Sequence, residues 1–425
     1  MKINIKEIYY NLRKQPVVSV VSIIGTALAI FLVMVTVVLS EVKTADIAPE
    51  VNRSRSLDYN KMWTQKITDE YSNREGCMSY QSYRAIFSSM TVPEAMTAYV
   101  IQGVESVASE HGGHNVGISL RQVDDMYWKI FEFDFITGHP FDKAAFDAGM
   151  QVAVITENTA RAIFGDINVV GREFSLDHTP YRVTGVIKDV SPLTFRTYGN
   201  VFVPFTATDL GKSNWGKGIM GPLVVTVLAK SKDDFNKIRA EYSSNIARYN
   251  KELEPTGWKL KIEDDIHKNG YEEGNMGNDD NSARYRRWVV YAILLLVPAI
   301  NISSMTESRL RRRASEIGVR RAFGCTRMEI MFMVLAENLV ITLFAGTIGW
   351  MLSVVFALIS QDFLFDITTS GTVDAVPVDV SSLMHWSTFF YALLFCFILN
   401  LLSSGIPAYR ASRLNIVNAI SGLRK

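Results

Sequence analysis

Few residues of this chain stand in a pattern that catalysis or ligand capture would need. Glu110, His111 and His114 lie within one short run, E-H-G-G-H, and imidazole with carboxylate is a donor set that zinc accepts. Two histidines around a pair of glycines read more simply as a surface turn. Gly211-Lys212-Ser213 is the nearest fragment to a phosphate loop. That loop needs G-x-x-x-x-G-K-[ST], so that successive backbone N–H groups wrap the phosphates. Thr206 stands where its first glycine belongs. Asp279 and Asp280, between Asn278 and Asn281, lack the alternating ligand spacing of a calcium loop. No nucleophile has a base at a spacing that argues for pairing. Catalytic residues, a bound cofactor and a metal are therefore not expected, nor is enzymatic activity.

The residues that do cluster are arginines. Residues 306–329, TESRLRRRASEIGVRRAFGCTRME, hold Arg309, Arg311, Arg312, Arg313, Arg320, Arg321 and Arg327 between two long apolar runs. Arginine this dense at a membrane border marks the cytoplasmic side. Gly324 suits the left-handed residue that closes a helix. Thr326 and Glu329 then form a T-x-x-E capping box that opens the next one. A compact basic helix is expected between two spans, with Ile317, Val319 and Phe323 to bury against something. A loop holding anionic lipid would explain the arginines, but not the glycine and the capping box.

Residues 316–330, EIGVRRAFGCTRMEI, resemble the signature of FtsX-like, MacB-type ABC transporter permeases. The usual form there is E-I-G-[IV]-R-[KR]-A-[LF]-G-A-[ST]-R, and Cys325 replaces the usual alanine. The resemblance implies that this helix couples the chain to a separate cytoplasmic ABC ATPase. Glu316, Ile317, Gly318, Arg320, Arg321, Phe323 and Gly324 would carry the coupling, with Gly318 allowing close approach and the arginines meeting acidic groups. It implies a dimer with a second permease copy or a relative, ATP and Mg held by the partner subunit, and mechanotransmission that exports or expels a client. It leaves room for a periplasmic adaptor and an outer-membrane channel. A lipoprotein-releasing permease of the same superfamily is an alternative, as is a membrane scaffold that regulates an extracytoplasmic partner.

These residues need a membrane frame to position them. The chain has 425 residues, 48% of them hydrophobic and 20% charged, with a net charge of +1. Because the basic residues gather at membrane borders and not on one soluble face, no nucleic-acid partner is expected. Residues 1–16 read as an interfacial amphipathic helix, broken by Pro16. Residues 17–40 are free of charge and, at about 1.5 Å per residue, reach roughly 36 Å, enough to cross a bilayer. A signal peptide would have an apolar core of only about 7–15 residues. Residues 288–304, 330–360 and 386–406 read as three further spans. They are joined by the cytoplasmic stretch 305–329 and a short outer loop, 361–385, and followed by a basic cytoplasmic tail, 407–425. Small residues at helical spacing, Ser22, Gly25, Thr26 and Ala29 on the first span and Ala345, Gly349 and Ser353 on the third, permit close helix packing or a dimer seam. Glu337 is the one acid inside the third span, either functional or paired with an arginine near the inner interface.

Residues 41–287 form a large soluble segment. A helix is expected at 80–90 and an extended run at 97–107. A strand at 152–155 leads to a helix capped by Thr156 and closed by Gly165, followed by a hairpin at 170–187 with its turn near 177–180. A strand–helix–strand unit at 223–228, 232–249 and 258–263 completes it. This order is similar to the periplasmic domain of MacB-type permeases, and the tail, with Pro407, Ala408, Ala411, Asn415 and Ala419-Ile420, is similar to that family's ending. The expected fold is an α-helical integral membrane protein with four transmembrane helices and a large α/β periplasmic domain between the first two. It would lie in a bacterial inner membrane with both termini cytoplasmic. Cys77, Cys325 and Cys396 then fall in three compartments, which argues against an intrachain disulfide.

Overall fold

The computed structural model describes residues 46–261 apart from 101–102, 111–112 and 192–193, and residues 303–359 apart from 305 and 309. It also describes isolated helical positions within 20–35, at 289 and 300, and within 394–410. The expected interfacial helix 1–16, the connection 262–287, the outer loop 361–385 and the tail from 411 lie outside the described residues. So do most of the second and fourth spans, and with them Ser22, Ala29, His111, Asp279, Asp280 and Cys396. The chain divides into two compact units. One holds residues 43–279 with 365–379, the other 1–42, 280–364 and 380–425.

Alternation of apolar residues builds the first unit. Strands β1 (Ser56–Tyr59), β2 (Met62–Lys66) and β3 (Asp69–Met78) are followed by helix α1 (Tyr80–Phe87), which Ser79 caps by accepting from the Ser82 N–H. The expected extended run at 97–107 is in fact two strands, β4 (Ala95–Val100) and β5 (Val104–Ser109). Strand β6 (Val116–Val123) pairs antiparallel with β5. Next come the short helix α2 (Tyr127–Ile130), strand β7 (Phe135–Gly138) and helix α3 (Lys143–Asp147).

Strand β8 (Val152–Thr156) runs into helix α4 (Glu157–Phe164), and Gly165 closes that helix at φ 72°, as its sequence predicts. Strands β9 (Glu173–Leu176) and β10 (Thr179–Ile187) form the hairpin. Asp177 and His178 both have positive φ, which is the two-residue turn whose twist matches the strands. Strand β11 (Val201–Pro204) runs parallel to β6 and antiparallel to β8. Because β8 also pairs β10, β10 pairs β9, and β9 pairs β5, the pairings return to β6 and close a six-stranded ring. Ala153 and Ile155 of β8, with Ile118, Leu120, Val201 and Val203, fill one core. Val152, Val154 and Phe202, which alternate with them, face an aromatic core around Tyr99, Tyr127, Phe131 and Phe141.

Helix α5 (Asp209–Lys212) and strand β12 (Met220–Gly221) lead to the central strand β13 (Leu223–Leu228), buried along its whole length. It pairs with β4, β1 and β3. The helix expected at 232–249 opens as a 3-10 turn and continues as α6 (Phe235–Leu253). Phe235, Ile238, Tyr242, Ile246, Tyr249 and Leu253 recur at helical spacing and are all buried, so the apolar stripe carries the helix past Tyr249. Strand β14 (Trp258–Lys261) closes the sheet beside β2.

In the second unit, helix α7 (Ala314–Ala322) precedes helix α8 (Arg327–Ile359). Helix α8 is the one helix among the described residues long and apolar enough to cross a membrane. Its 33 residues, at about 1.5 Å each, reach well beyond a hydrocarbon layer of roughly 30 Å. The small residues on it meet the same chain. A Cβ on Gly349 would stand 2.7 Å from the Ala27 carbonyl oxygen and 3.0 Å from the Phe31 nitrogen. Ala345 and Ser353 on α8, and Thr26, Ala27 and Ile30 on the helix Ile23–Leu32, are buried. Phe31 and Phe356 meet edge to face at 5.4 Å. The close approach that small residues permit is thus made within the chain.

Candidate coupling site

Arg313 is where the basic stretch changes direction. Residues 310–312 are helical, Arg313 leaves the helical region at φ −102° and ψ 15°, and α7 begins at Ala314. Its guanidinium reaches two carboxylates at once. Nε and Nη2 donate to Glu316 Oε2 and Oε1 at 3.0 and 3.1 Å, and Nη1 donates to Glu337 Oε2 on α8 at 2.7 Å. Arg320 Nη2 donates to Glu316 Oε1 at 2.9 Å. Burial alone would lower the Arg313 pKa, but Glu316 and Glu337 outweigh it and hold the guanidinium above its ordinary value. The hydrogen bond from Arg313 is the main reason that the Glu316 carboxyl sits below the usual carboxylate range. Glu337 is therefore partnered, as expected of a lone acid on a membrane helix.

The far end of α7 is closed by backbone alone. Gly324 adopts φ 95°, Cys325 N–H donates to Arg320 C=O at 3.1 Å, and Gly324 N–H donates to Arg321 C=O at 3.1 Å. This pair of bonds is the Schellman closure. Thr326 N–H donates to Glu329 Oε2 at 2.8 Å and Glu329 N–H to Thr326 Oγ1 at 3.3 Å, the reciprocal capping box that opens α8. A nine-residue helix is thus fixed at both ends.

Helical geometry divides the residues expected to couple. Ile317 is 2% exposed and packs with Leu310, Ile330, Val334 and Ala408, and Gly318 is buried beside it. Both face the chain's own interior. Val319, at 44% exposed, and the C-cap residue Phe323, at 88%, are turned outward. Glu316, Arg320 and Arg321 are half-buried between the two, with Glu316 and Arg320 tied to each other. Sequence spacing marks the helix but not which side the rest of the chain covers.

Of the other candidate ligand groups that are described, Glu110 and Gly211 are engaged within the fold. Glu110 pairs with Arg172, and His114 is exposed. Gly211 is buried within α5, its N–H donating to Thr208 Oγ1 at 3.1 Å. Among the described residues no three histidine, cysteine or acidic side chains gather to hold a metal ion. A buried ionic network in the first unit has no sequence signal. Glu50 accepts from Arg53 Nε at 2.7 Å, Arg196 N–H at 2.8 Å and Thr197 N–H at 3.2 Å, and Arg196 pairs with Asp58.

Two family descriptions match the chain. A MacB-like periplasmic core domain matches residues 19–244, more than half of the chain. An FtsX-like permease C-terminal domain matches residues 288–416, which include the basic helix. The chain belongs to the MacB-type, FtsX-like family of ABC transporter permeases. Members of this family are membrane-embedded.

The uncharacterized ABC transporter permease YknZ of Bacillus subtilis (strain 168) is 22% identical over 329 residues, 77% of this chain and 76% of that protein. The macrolide export ATP-binding/permease protein MacB of Burkholderia cenocepacia (strain HI2424) is 27% identical over 285 residues, 62% of this chain. The chain spans 38% of that MacB's length. Among solved structures, the periplasmic region of MacB from Actinobacillus actinomycetemcomitans is 19% identical with a TM-score of 0.35, covering 53% of this chain and 95% of that one. The extracellular domain of YknZ is 18% identical with a TM-score of 0.30, covering 48% of this chain and all of that one.

Proposed function

We propose that the chain is the permease subunit of an ABC system, coupling ATP hydrolysis on a separate ATPase chain to motion of its periplasmic domain, which exports or expels a client. One observation carries this reading. On a short helix and its C-cap, Val319 and Phe323 stand exposed, with Arg320 and Arg321 half-buried beside them. An apolar knob ringed by positive charge suits a cleft with acidic edges on a protein partner. The sequence holds no phosphate loop that would bind ATP itself. Two such chains, or this one and a relative, would present two knobs to two ATPase subunits, with both termini and the basic helix on the cytoplasmic side. Release of a lipoprotein and export of a soluble client would use the same movement.

The test is a pull-down of the detergent-solubilised chain from its native cells, with ATPase activity measured on what co-purifies. A stoichiometric ATP-binding subunit that is lost with Phe323→Asp supports the coupling function. Purification of the chain with no ATPase would make the basic helix a lipid anchor and the protein a membrane scaffold. Phe323 is the informative site because its exposure lets the substitution leave the fold intact.

A further inference from the structure

Helix α7 can pass a push into the membrane only if something joins it stiffly to α8. The covalent connection is weak for this purpose. It is the turn 323–326, in which Gly324 sits in a left-handed conformation with no side chain within 4 Å of where its Cβ would be. Its backbone bonds close α7 and its capping box opens α8, and none of them runs from one helix to the other. The apolar contact is one small cluster in which Ile317 of α7 meets Ile330 and Val334 of α8, with Leu310 and Ala408, and Arg320 Nη1 adds a 3.3 Å contact to Met333 Sδ.

The other end of α7 is held differently. Arg313, the N-cap residue just before it, makes three charge-assisted hydrogen bonds to two carboxylates, one on α7 and one a full 24 residues further along the chain on α8. Arg313 is 18% exposed and Glu337 15%, so the pair is shielded from water and from screening by salt. Glu337 lies ten residues, about 15 Å of helix, beyond the start of α8 at Arg327. The turn at one end and the ion pair at the other therefore brace α7 against α8 at two separated points.

We propose that Arg313 and Glu337 are positioning residues that lock the basic helix to the long membrane helix, so that a load on Phe323 moves α8 as one body and does not swing α7 about the Gly324 turn. The inference rests on the coupling function proposed above. Arginine is required in this role because its planar fork serves both carboxylates together, where lysine offers a single point charge. The exposed pair Arg311–Glu307, on the preceding helical residues, has no such bridging geometry and is the natural control.

The experiment compares Glu337→Gln, Arg313→Lys and the control Arg311→Gln, each co-purified with its ATPase and reconstituted in vesicles. Wild type, control and both variants should retain the ATPase on pull-down. The ATPase rate change caused by the permease should fall about five-fold in Glu337→Gln and Arg313→Lys and stay unchanged in the control. Retained ATPase with an undiminished rate change in both variants would overturn the lock.

A second measurement needs no partner. With Cys77→Ser, Cys325→Ser and Cys396→Ser as background, spin labels at Ser315→Cys and Phe332→Cys report the α7–α8 separation in the permease alone. Glu337→Gln and Arg313→Lys should broaden that distance distribution. An unchanged distribution would refute the lock even if no ATPase bound, whereas loss of ATPase from the wild type would refute only the coupling function. Arg313→Lys keeps the charge and so guards against a variant that simply fails to assemble.

Discussion

Ile317 within α7 and Phe323 at its C-cap lie six residues apart, one buried and one exposed, and should respond differently to the same substitution. Ile317→Asp buries a carboxylate among Leu310, Ile330 and Val334, and should destabilise the membrane unit by about 3–5 kcal/mol, seen as a lower melting temperature in detergent. Phe323→Asp should leave that temperature within a degree or two and act on partner retention alone. A second residue-scale effect belongs to Asp124, whose carboxylate accepts from Thr97 Oγ1 at 2.5 Å, Ala98 N–H at 2.8 Å and Tyr127 N–H at 2.9 Å. Burial raises its pKa to about 7, against the lowering effect of those donors. The folded chain therefore holds a proton that the unfolded chain releases near 3.8. The stability from this group is fully present below that pH, falls as pH rises, and is gone above about 7. Asp124→Asn should flatten this slope in melting curves taken between pH 4 and 8.

At the scale of elements, the contact between α8 and the helix Ile23–Leu32 depends on one missing side chain. The atoms nearest a Cβ on Gly349 include the backbone of Ala27 and Phe31, which cannot rotate away. Gly349→Val should push the helices apart and cost about 1–3 kcal/mol, measurable as earlier unfolding in detergent. The capping box at the start of α8 is exposed, and both its partners remain free to bond water. Thr326→Ala should cost about 1 kcal/mol and leave the α7 closure at Gly324 intact. An effect of that size on coupling with little change in melting would show that the entry angle of α8 matters more than its stability.

At the scale of the molecule, the periplasmic unit joins a closed six-stranded ring to a sheet carrying α1 and α6, through an aromatic core. The segment just after the first apolar run is tied into that unit by Glu50, which accepts four hydrogen bonds, including one from Thr197 Oγ1 at 3.3 Å. Glu50→Ala removes the shared acceptor from a buried ionic network and should cost about 3–5 kcal/mol, seen as faster proteolysis around residues 46–58 and 194–198. Glu157→Ala, which breaks only an exposed helix pair with Arg161, should change stability by less than about 0.5 kcal/mol.

Local chemistry was legible wherever it is written in neighbouring residues. The left-handed closures at Gly165 and Gly324, the box of Thr326 and Glu329, the turn at Asp177 and His178, and the strand–helix unit at 152–165 all follow from residue types at fixed short offsets. The family also follows from such an offset pattern, since the signature at 316–330 spans a single helix and its turn. Long-range pairing was not legible. Nothing in the spacing says that β11 turns back to β6 and closes the ring, because register depends on which faces are buried together. Nor could it say that Glu50 would meet Arg196 across 146 residues, or that Arg313 would find Glu337. A helical wheel gives Ile317 and Phe323 equal claim to a partner. The tertiary structure separates them, because packing against Leu310, Ile330 and Val334 buries Ile317 and leaves Phe323 exposed.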